Sequence, residues 1–345
     1  TKGLMMSSNI QQYDFTFIDL FAGIGGFHWA FHDLGGKCVF ASEMDKFARQ
    51  TYEHNFRKFN PEIFDTPELY DKDITQVDVN IIPDFDVLCG GFPCQPFSMA
   101  GHRLGFEDAR GTLFFDIARI IKHKINIGKS PKVIVLENVK HFKNHDKGRT
   151  LDVVRNVFTE ELGYHFDFRV LNSRNFGLPQ NRARVFMVAW LPELAPFFNF
   201  PEGILPSQKT RVGDILIDNP DEKYTISDTL WASHKRRKLE HQRKGNGFGY
   251  SLFNHDSEYA STMSARYYKD GSEILIYQEG KNPRKLTPRE AANLQGFPPE
   301  PIFTIPVSDT QAYKQFGNAV SVPVVRALGL EIKKQLLEGA FNYET

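Results

Sequence analysis

Phe15-Thr16-Phe17-Ile18-Asp19-Leu20-Phe21-Ala22-Gly23-Ile24-Gly25-Gly26 is the stretch that decides the fold. Its first six residues are a short β-favouring run, and the glycines make a turn. From Phe27 to about Leu34 apolar residues return at helical spacing. Strand, glycine turn and helix form a cradle for a nucleotide-like ligand. Glycine lets the backbone approach the ligand, and a helix N-terminus favours a negative group. The Gly-x-Gly-Gly spacing lacks the third glycine of the dinucleotide fingerprint, so on its own it is thin support for a nicotinamide cofactor. A second strand, Lys37 to Ser42, ends at Glu43. That glutamate stands where an acid binds ribose hydroxyls in such folds, or else it caps the helix predicted from Asp45 to Phe56.

Further along, the pattern of an α/β sheet repeats. Phe85 to Cys89 reads as a buried strand running into Gly90 and Gly91, and Phe92-Pro93-Cys94-Gln95-Pro96-Phe97-Ser98 follows at once. A cysteine at the carboxyl end of a strand, stiffened by proline on either side, sits where open α/β sheets collect ligands and chemistry. A lone free cysteine is more often a small buried apolar residue, so the surroundings must decide. Met99 to Phe106 reads as a loop able to close on substrate. Lys132 to Leu136 is another buried strand, ending in Glu137. Burial would raise the pKa of that acid and suit it to donate a proton near neutral pH. Alternation puts Arg182 and Arg184 on one face of the strand that follows, to grip a phosphate or pair with Glu137. Arg57 to Asp71 reads as a loop, Ser264 to Gly271 as a strand with an Asp-Gly turn. A C-terminal helix is predicted to open at Gln315 to Val320 and to run to about Leu337.

Composition bounds the rest. The chain has 345 residues, 41% hydrophobic and 24% charged, enough for one large domain and a smaller one. Lys+Arg and Asp+Glu both number 42, so any nucleic-acid binding must come from a local patch. The markedly basic stretch lies beyond the prolines of Pro192 to Pro206. It comprises His234 to Lys238 and Arg243 to Tyr250, with glycine and aromatics interleaved. Three cysteines without Cys-x-x-Cys spacing favour reduced thiols in a cytoplasm over a disulfide frame or a metal site. No apolar run reaches membrane-spanning length, and no signal-peptide core stands at the start.

Taken in order, DLFAGIGG, the Glu43 strand end, GGFPCQPFS, ENV, QNRAR, REAANLQGFP and QFGNAVSVP resemble the DNA (cytosine-5) methyltransferases of bacterial restriction-modification type, over nearly the whole chain. The resemblance implies a Rossmann-like S-adenosylmethionine-dependent methyltransferase domain of residues 1–190 and 306–345, with a smaller target-recognition domain of residues 191–305. It implies Cys94 as the nucleophile that adds to cytosine C6, Glu137 as the acid at ring N3, and Arg184 with Arg182 orienting the base or its phosphate. The cofactor would meet Phe21, Ala22, Gly23, Gly25, Gly26, Glu43, Met44, Asp73, Ile74, Pro93, Asn318 and Val320. DNA would meet Ser98 and Arg103 in the loop, and Arg236, Arg237, Arg243, Lys244, Arg266 and Tyr267 in the recognition region. No metal is implied. The partner is double-stranded DNA with a CC-starting site such as CCGG or CCNGG, read by a monomer. A restriction nuclease acting on the same site without direct contact is the expected counterpart, unless the enzyme is solitary.

Overall fold

In the computed structural model of the protein, residues 12–97, 105–203 and 209–338 are described. The first half alternates strand and helix: β1 (Phe15–Leu20), α1 (Gly26–Asp33), β2 (Gly36–Ser42), α2 (Lys46–Phe56), α3 (Pro61–Asp65), β3 (Tyr70–Asp71) and β4 (Val87–Gly91). It continues through α4 (Phe106–Ala109), α5 (Leu113–Asn126), β5 (Val133–Val139), α6 (Arg149–Asn156), β6 (His165–Asn172) and β7 (Ala183–Trp190). These strands make one seven-stranded sheet of order β3-β2-β1-β4-β5-β7-β6. β1 to β5 run parallel, and β7 lies antiparallel between β5 and β6. β1, β4 and β5 are buried on both faces, as parallel strands under helices must be, which is why they read as continuous apolar runs. The strand order reverses between β1 and β4, and the crevice beyond their carboxyl ends is the natural ligand site. Phe21, Glu43, the Cys94 turn and Glu137 all follow or end strands at that edge.

Beyond β7 the chain forms α7 (Asp228–Arg243) and a small sheet of order β10-β9-β8, from β8 (Leu252–Phe253), β9 (Leu275–Ile276) and β10 (Arg284–Lys285). Three helices close the described chain: α8 (Pro288–Leu294), α9 (Asp309–Asn318) and α10 (Val322–Ile332). Residues after α8 return to the large core, where the Phe297 ring lies 5.6 Å from Phe316 and 4.8 Å from Phe303. Among the described residues no helix is long and apolar enough to cross a membrane.

Three sequence expectations are corrected here. The single C-terminal helix is two, because Ala319 is extended and Pro323 sits in the first turn of α10. Proline offers no N–H and clashes with the preceding turn, so one helix cannot run through it. Buried Gln295 fills the break: its Nε2 donates to the Phe316 carbonyl at 2.7 Å and its own carbonyl accepts from Val322 N at 2.9 Å. Arg57 to Asp71 is not all loop, since α3 starts on Pro61 and β3 pairs with β2. Ser264 to Gly271 is a turn and not a strand, closed by Tyr267 N to Ser264 O at 3.2 Å and Lys269 N to Arg266 O at 3.0 Å.

Candidate active site

The floor of the crevice is built by the glycine turn. Phe21, Gly23 and Gly25 have φ of 51°, 55° and 90°, so the chain doubles back in left-handed steps between β1 and α1. Such a conformation is costly for phenylalanine and persists where the surroundings hold it. Here Ala22 N donates to Ser42 O at 2.9 Å, and Glu43 Oε1 accepts from Gly23 N at 2.8 Å. The second carboxylate oxygen of Glu43 accepts from Asp45 N at 2.8 Å, so the acid spans the turn and the start of α2. A Cβ on Gly26 would stand 2.5 Å from Val320 Cγ2, so that position admits only glycine without moving the opposite wall.

Above this floor lies a pocket of about 380 Å³, reached by Phe21, Ala22, Gly23, Gly26, Glu43, Asn318 and Val320 of the expected cofactor set. An aromatic face, close-approach glycines and a carboxylate acceptor suit an adenosine-bearing ligand with ribose hydroxyls. Five expected residues lie off that lining. Gly25 faces the Phe56 ring, which a Cβ would meet at 2.1 Å, so it serves packing. Met44 is 66% exposed and Ile74 is buried in the core. Asp73 spends its carboxylate on its own turn, accepting from Thr75 N at 3.0 Å, and Pro93 is exposed.

Glu137 lines the same pocket from the end of β5. Burial pushes its carboxyl above the usual range, with Arg184 and then Arg182 pulling the other way. Arg184 Nε stands 3.4 Å from Glu137 Oε1. On the neighbouring strand a Cβ on Gly91 would sit 2.7 Å from Glu137 Oε2, so glycine there leaves room for the carboxylate in this position. Arg182 does not grip a phosphate from this position. Its guanidinium is buried and donates to the carbonyls of Met263 at 2.8 Å, Gly317 at 2.9 Å and Ala319 at 3.1 Å. It ties the turn before Ser264 to the break after α9, and its role is positioning.

Of the three cysteines, Cys38 and Cys89 are buried in the core and Cys94 is exposed. Partial burial still pushes the Cys94 thiol up from its ordinary value. Its turn is anchored on both sides. The Phe92 and Phe97 rings lie 5.8 and 6.0 Å from Phe114. Asn138 Nδ2 donates to Phe92 O at 2.8 Å, and Gln95 Oε1 accepts from Leu113 N at 2.8 Å. Cys94 is not on the pocket lining itself. Ser98 and Arg103 lie outside the described residues.

In the recognition region Arg236, Arg243 and Lys244 are exposed on and just after α7. Arg237 is also exposed but is shared with Asp270 at 3.3 Å and His234 at 2.7 Å. Tyr267 is a correction. It is fully buried, its hydroxyl donating to Ile274 O at 2.6 Å and accepting from Leu286 N at 2.8 Å, so it is a core tie with no face toward DNA. Its neighbour Tyr268 is half-buried. Arg266 is exposed and reaches the cofactor pocket, as do Tyr268, Lys314 and Gln315, none of the last three expected. The helical spacing of Gln311, Lys314, Gln315 and Asn318 could have found Lys314 and Gln315 once α9 was known to end at Asn318.

The profile of the C-5 cytosine-specific DNA methylases matches residues 15–334. The chain belongs to that family. It is a DNA (cytosine-5) methyltransferase and uses S-adenosylmethionine, the ligand that the glycine turn and Glu43 fit. Among curated relatives, the type II methyltransferase M1.ScrFI of Lactococcus lactis subsp. cremoris is 56% identical over 315 residues, 90% of this chain and 76% of that protein. The type II methyltransferase M.NlaX of Neisseria lactamica is 55% identical over 326 residues, 93% of this chain and 97% of that protein. Among solved structures, a Spodoptera frugiperda DNMT2 mutant superposes with a TM-score of 0.70 at 22% identity. It covers 92% of this chain and 99% of its own, and it speaks for the fold alone.

Proposed function

We propose that the protein methylates C5 of a flipped cytosine within a short specific sequence of duplex DNA, through a covalent Cys94 adduct at C6. The observation that carries this reading is the meeting, at one sheet edge, of the Glu43 pocket, the buried acid Glu137 and the exposed thiol of the β4 turn. Cytosine C5 is a poor nucleophile. The Cys94 thiolate donates its pair to C6, and Glu137, whose carboxyl burial shifts toward the protonated form, hydrogen-bonds or protonates ring N3 to draw off the charge. Arg184 orients the Glu137 carboxyl from 3.4 Å. S-adenosylmethionine, held by Phe21, Gly23, Gly26 and Glu43, supplies the methyl group to C5. Loss of the C5 proton to water then restores the ring double bond as the Cys94 sulfur leaves with its bonding pair. Because C6 is shielded inside a stacked duplex, the base must leave the helix to meet the thiol.

The relatives named as type II methyltransferases support a restriction-modification setting. On this reading the enzyme works in a bacterial cytoplasm as a monomer on the nucleoid, with a nuclease of the same specificity as its counterpart. Reading of a CC-starting site such as CCGG or CCNGG falls to the region after Trp190. We take that region as residues 191–305, with Phe297 and Phe303 in its last stretch packed on Phe316 of the large core. Bisulfite sequencing of a plasmid incubated with protein and S-adenosylmethionine tests the whole reading. Protection of one cytosine in one short motif is the expected result, and a fully converted plasmid would overturn it.

A further inference from the structure

His234, Arg237 and His241 stand three and four residues apart on α7, so they share one face of that helix. Against that face the chain returns so closely that a Cβ on Gly249 would stand 3.1 Å from Lys238 Cβ. Between helix and return lies a cavity of about 150 Å³, lined by the two histidines, Arg237, Gly249, Tyr250 and Ser272. Its walls are tied down. The Tyr250 ring lies 4.8 Å from that of Trp231, Lys238 Nζ donates to the Tyr250 carbonyl at 3.1 Å, and Ser251 N donates to Ser272 O at 2.9 Å. Two ring nitrogens of the lining residues, His234 Nε2 and His241 Nδ1, are buried without a hydrogen-bond partner. His234 as a whole is 1% exposed.

The His234 tautomer follows from its neighbour. Arg237 Nη2 lies 2.7 Å from His234 Nδ1, and a guanidinium only donates, so Nδ1 accepts and the ring proton sits on Nε2. Burial lowers the pKa of the ring; Asp270, by its charge and its backbone, works against that shift and the Arg237 charge works with it. The unpartnered group is therefore an N–H, which fits an acceptor oxygen and not a metal ion. A buried donor without a partner is costly, and folds keep one where a bound group satisfies it. The surroundings favour an anion. No carboxylate lines the cavity among the described residues, and the nearby Asp270 carboxylate meets Arg237 at 3.3 Å. Lys235, Arg236, Arg243 and Lys244 are exposed along the same helix and just past it, with Glu240 the one acid between them. A base edge lies at the floor of a groove and is read by side chains that project, whereas a phosphate stands out from the duplex and enters a concavity. We propose that this cavity is a phosphate subsite of the recognition region, in which His234 Nε2, His241 and Arg237 hold one backbone phosphate of the bound duplex. Such a contact carries no sequence information; it fixes the register in which the region meets the DNA.

The subsite rests on duplex DNA as the substrate, and one experiment keeps the two apart. Affinity of the full chain is measured for a duplex carrying the motif that bisulfite sequencing finds, with each phosphate around it replaced in turn by an uncharged methylphosphonate. Wild type should lose about tenfold or more at one position, the range of one or two charge-assisted hydrogen bonds. His241→Phe and Arg237→Met should each lose about tenfold on the native duplex, and then no more than about twofold further at that position, since the partner is already gone. His234→Leu should behave like them, and His234→Gln, which supplies an amide N–H, like wild type. Variants that weaken every duplex alike and keep the full penalty at that phosphate would reduce these residues to packing and overturn the subsite. Calorimetry with inorganic phosphate on the chain without DNA covers the other source of the same chemistry. Binding that His241→Phe abolishes, with no duplex position coupled to any variant, would make the cavity a free-phosphate site and overturn the proposal too. If wild type binds no duplex, the DNA reading itself is wrong, and the subsite falls with it.

Discussion

At Gly23 the backbone N–H meets Glu43 Oε1 at 2.8 Å, the turn is tied to β2 through Ala22, and Gly26 is packed against Val320. At Cys94, a few residues past the neighbouring strand, the described residues hold the turn at its flanks, by Asn138 on Phe92 and Gln95 on Leu113, and the cysteine is exposed. One half of the site is finished before any ligand arrives; the other offers a nucleophile with nothing yet against it. A cofactor is the same molecule in every turnover, so a rigid cradle costs nothing in generality. On the proposed mechanism a flipped base is delivered by a duplex that must first be admitted, which an exposed reacting end allows.

The comparison breaks hardest at the open half. Cys94→Ala should lower methyl transfer by about four orders of magnitude or more, with S-adenosylhomocysteine affinity unchanged within about twofold. Loss of cofactor binding in that variant would show that the two halves are one unit. Glu137→Gln comes next, at about 10²- to 10⁴-fold in rate. The pH profile carries the sign. Glu137 has a raised pKa and acts protonated, so its contribution is full at low pH and lost as pH rises through that value. Cys94, also raised, acts as the thiolate, so its contribution grows as pH rises through its own value. The wild-type kcat/KM profile should therefore have a falling limb that Glu137→Gln lacks and a rising limb that it keeps. A falling limb that survives the substitution would belong to another group.

The sheet was legible because parallel strands buried on both faces write themselves as apolar runs, and Glu43, Cys94 and Glu137 were legible because each ends or follows one. What was not legible depended on partners distant in the chain. Nothing local to QFGNAV says that Gln295 would plug a helix break there, yet that break is what turns Asn318 and Val320 into the pocket. Arg184 stands in β7 and Arg182 just before it, and which meets Glu137 and which meets three carbonyls depends on segments far along the chain, Met263 and the end of α9. Tyr267 and Tyr268 are alike in composition and opposite in fate, for the first is pinned by Ile274 and Leu286.

Smaller effects sharpen the same contrast. Arg182→Met would leave the carbonyls of Met263, Gly317 and Ala319 without their charged donor, and unfolding by denaturant should register a loss of about 3 kcal/mol. Near-wild-type stability would mean that the wall is held by its packing alone. Gly26→Ala adds a methyl only 2.5 Å from Val320 Cγ2. Alanine favours the helix intrinsically, so the fold should survive while the pocket wall shifts. Calorimetry should find S-adenosylhomocysteine bound about tenfold more weakly, with less change in kcat than in KM.

The smallest effect belongs to the surface where no pocket constrains anything. Arg243 ends α7 exposed, and no salt bridge holds it among the described residues. If it meets a backbone phosphate it acts as one charge among several, and its removal should weaken DNA binding alike on cognate and scrambled duplexes. Plotting log affinity against log salt concentration, Arg243→Ala should flatten the slope by about one unit, one counterion fewer released. A slope unchanged on scrambled DNA with affinity lost only on the cognate site would make Arg243 a reader of bases. The recognition region would then contain a built, specific contact of the kind that the cofactor floor has and the Cys94 turn lacks.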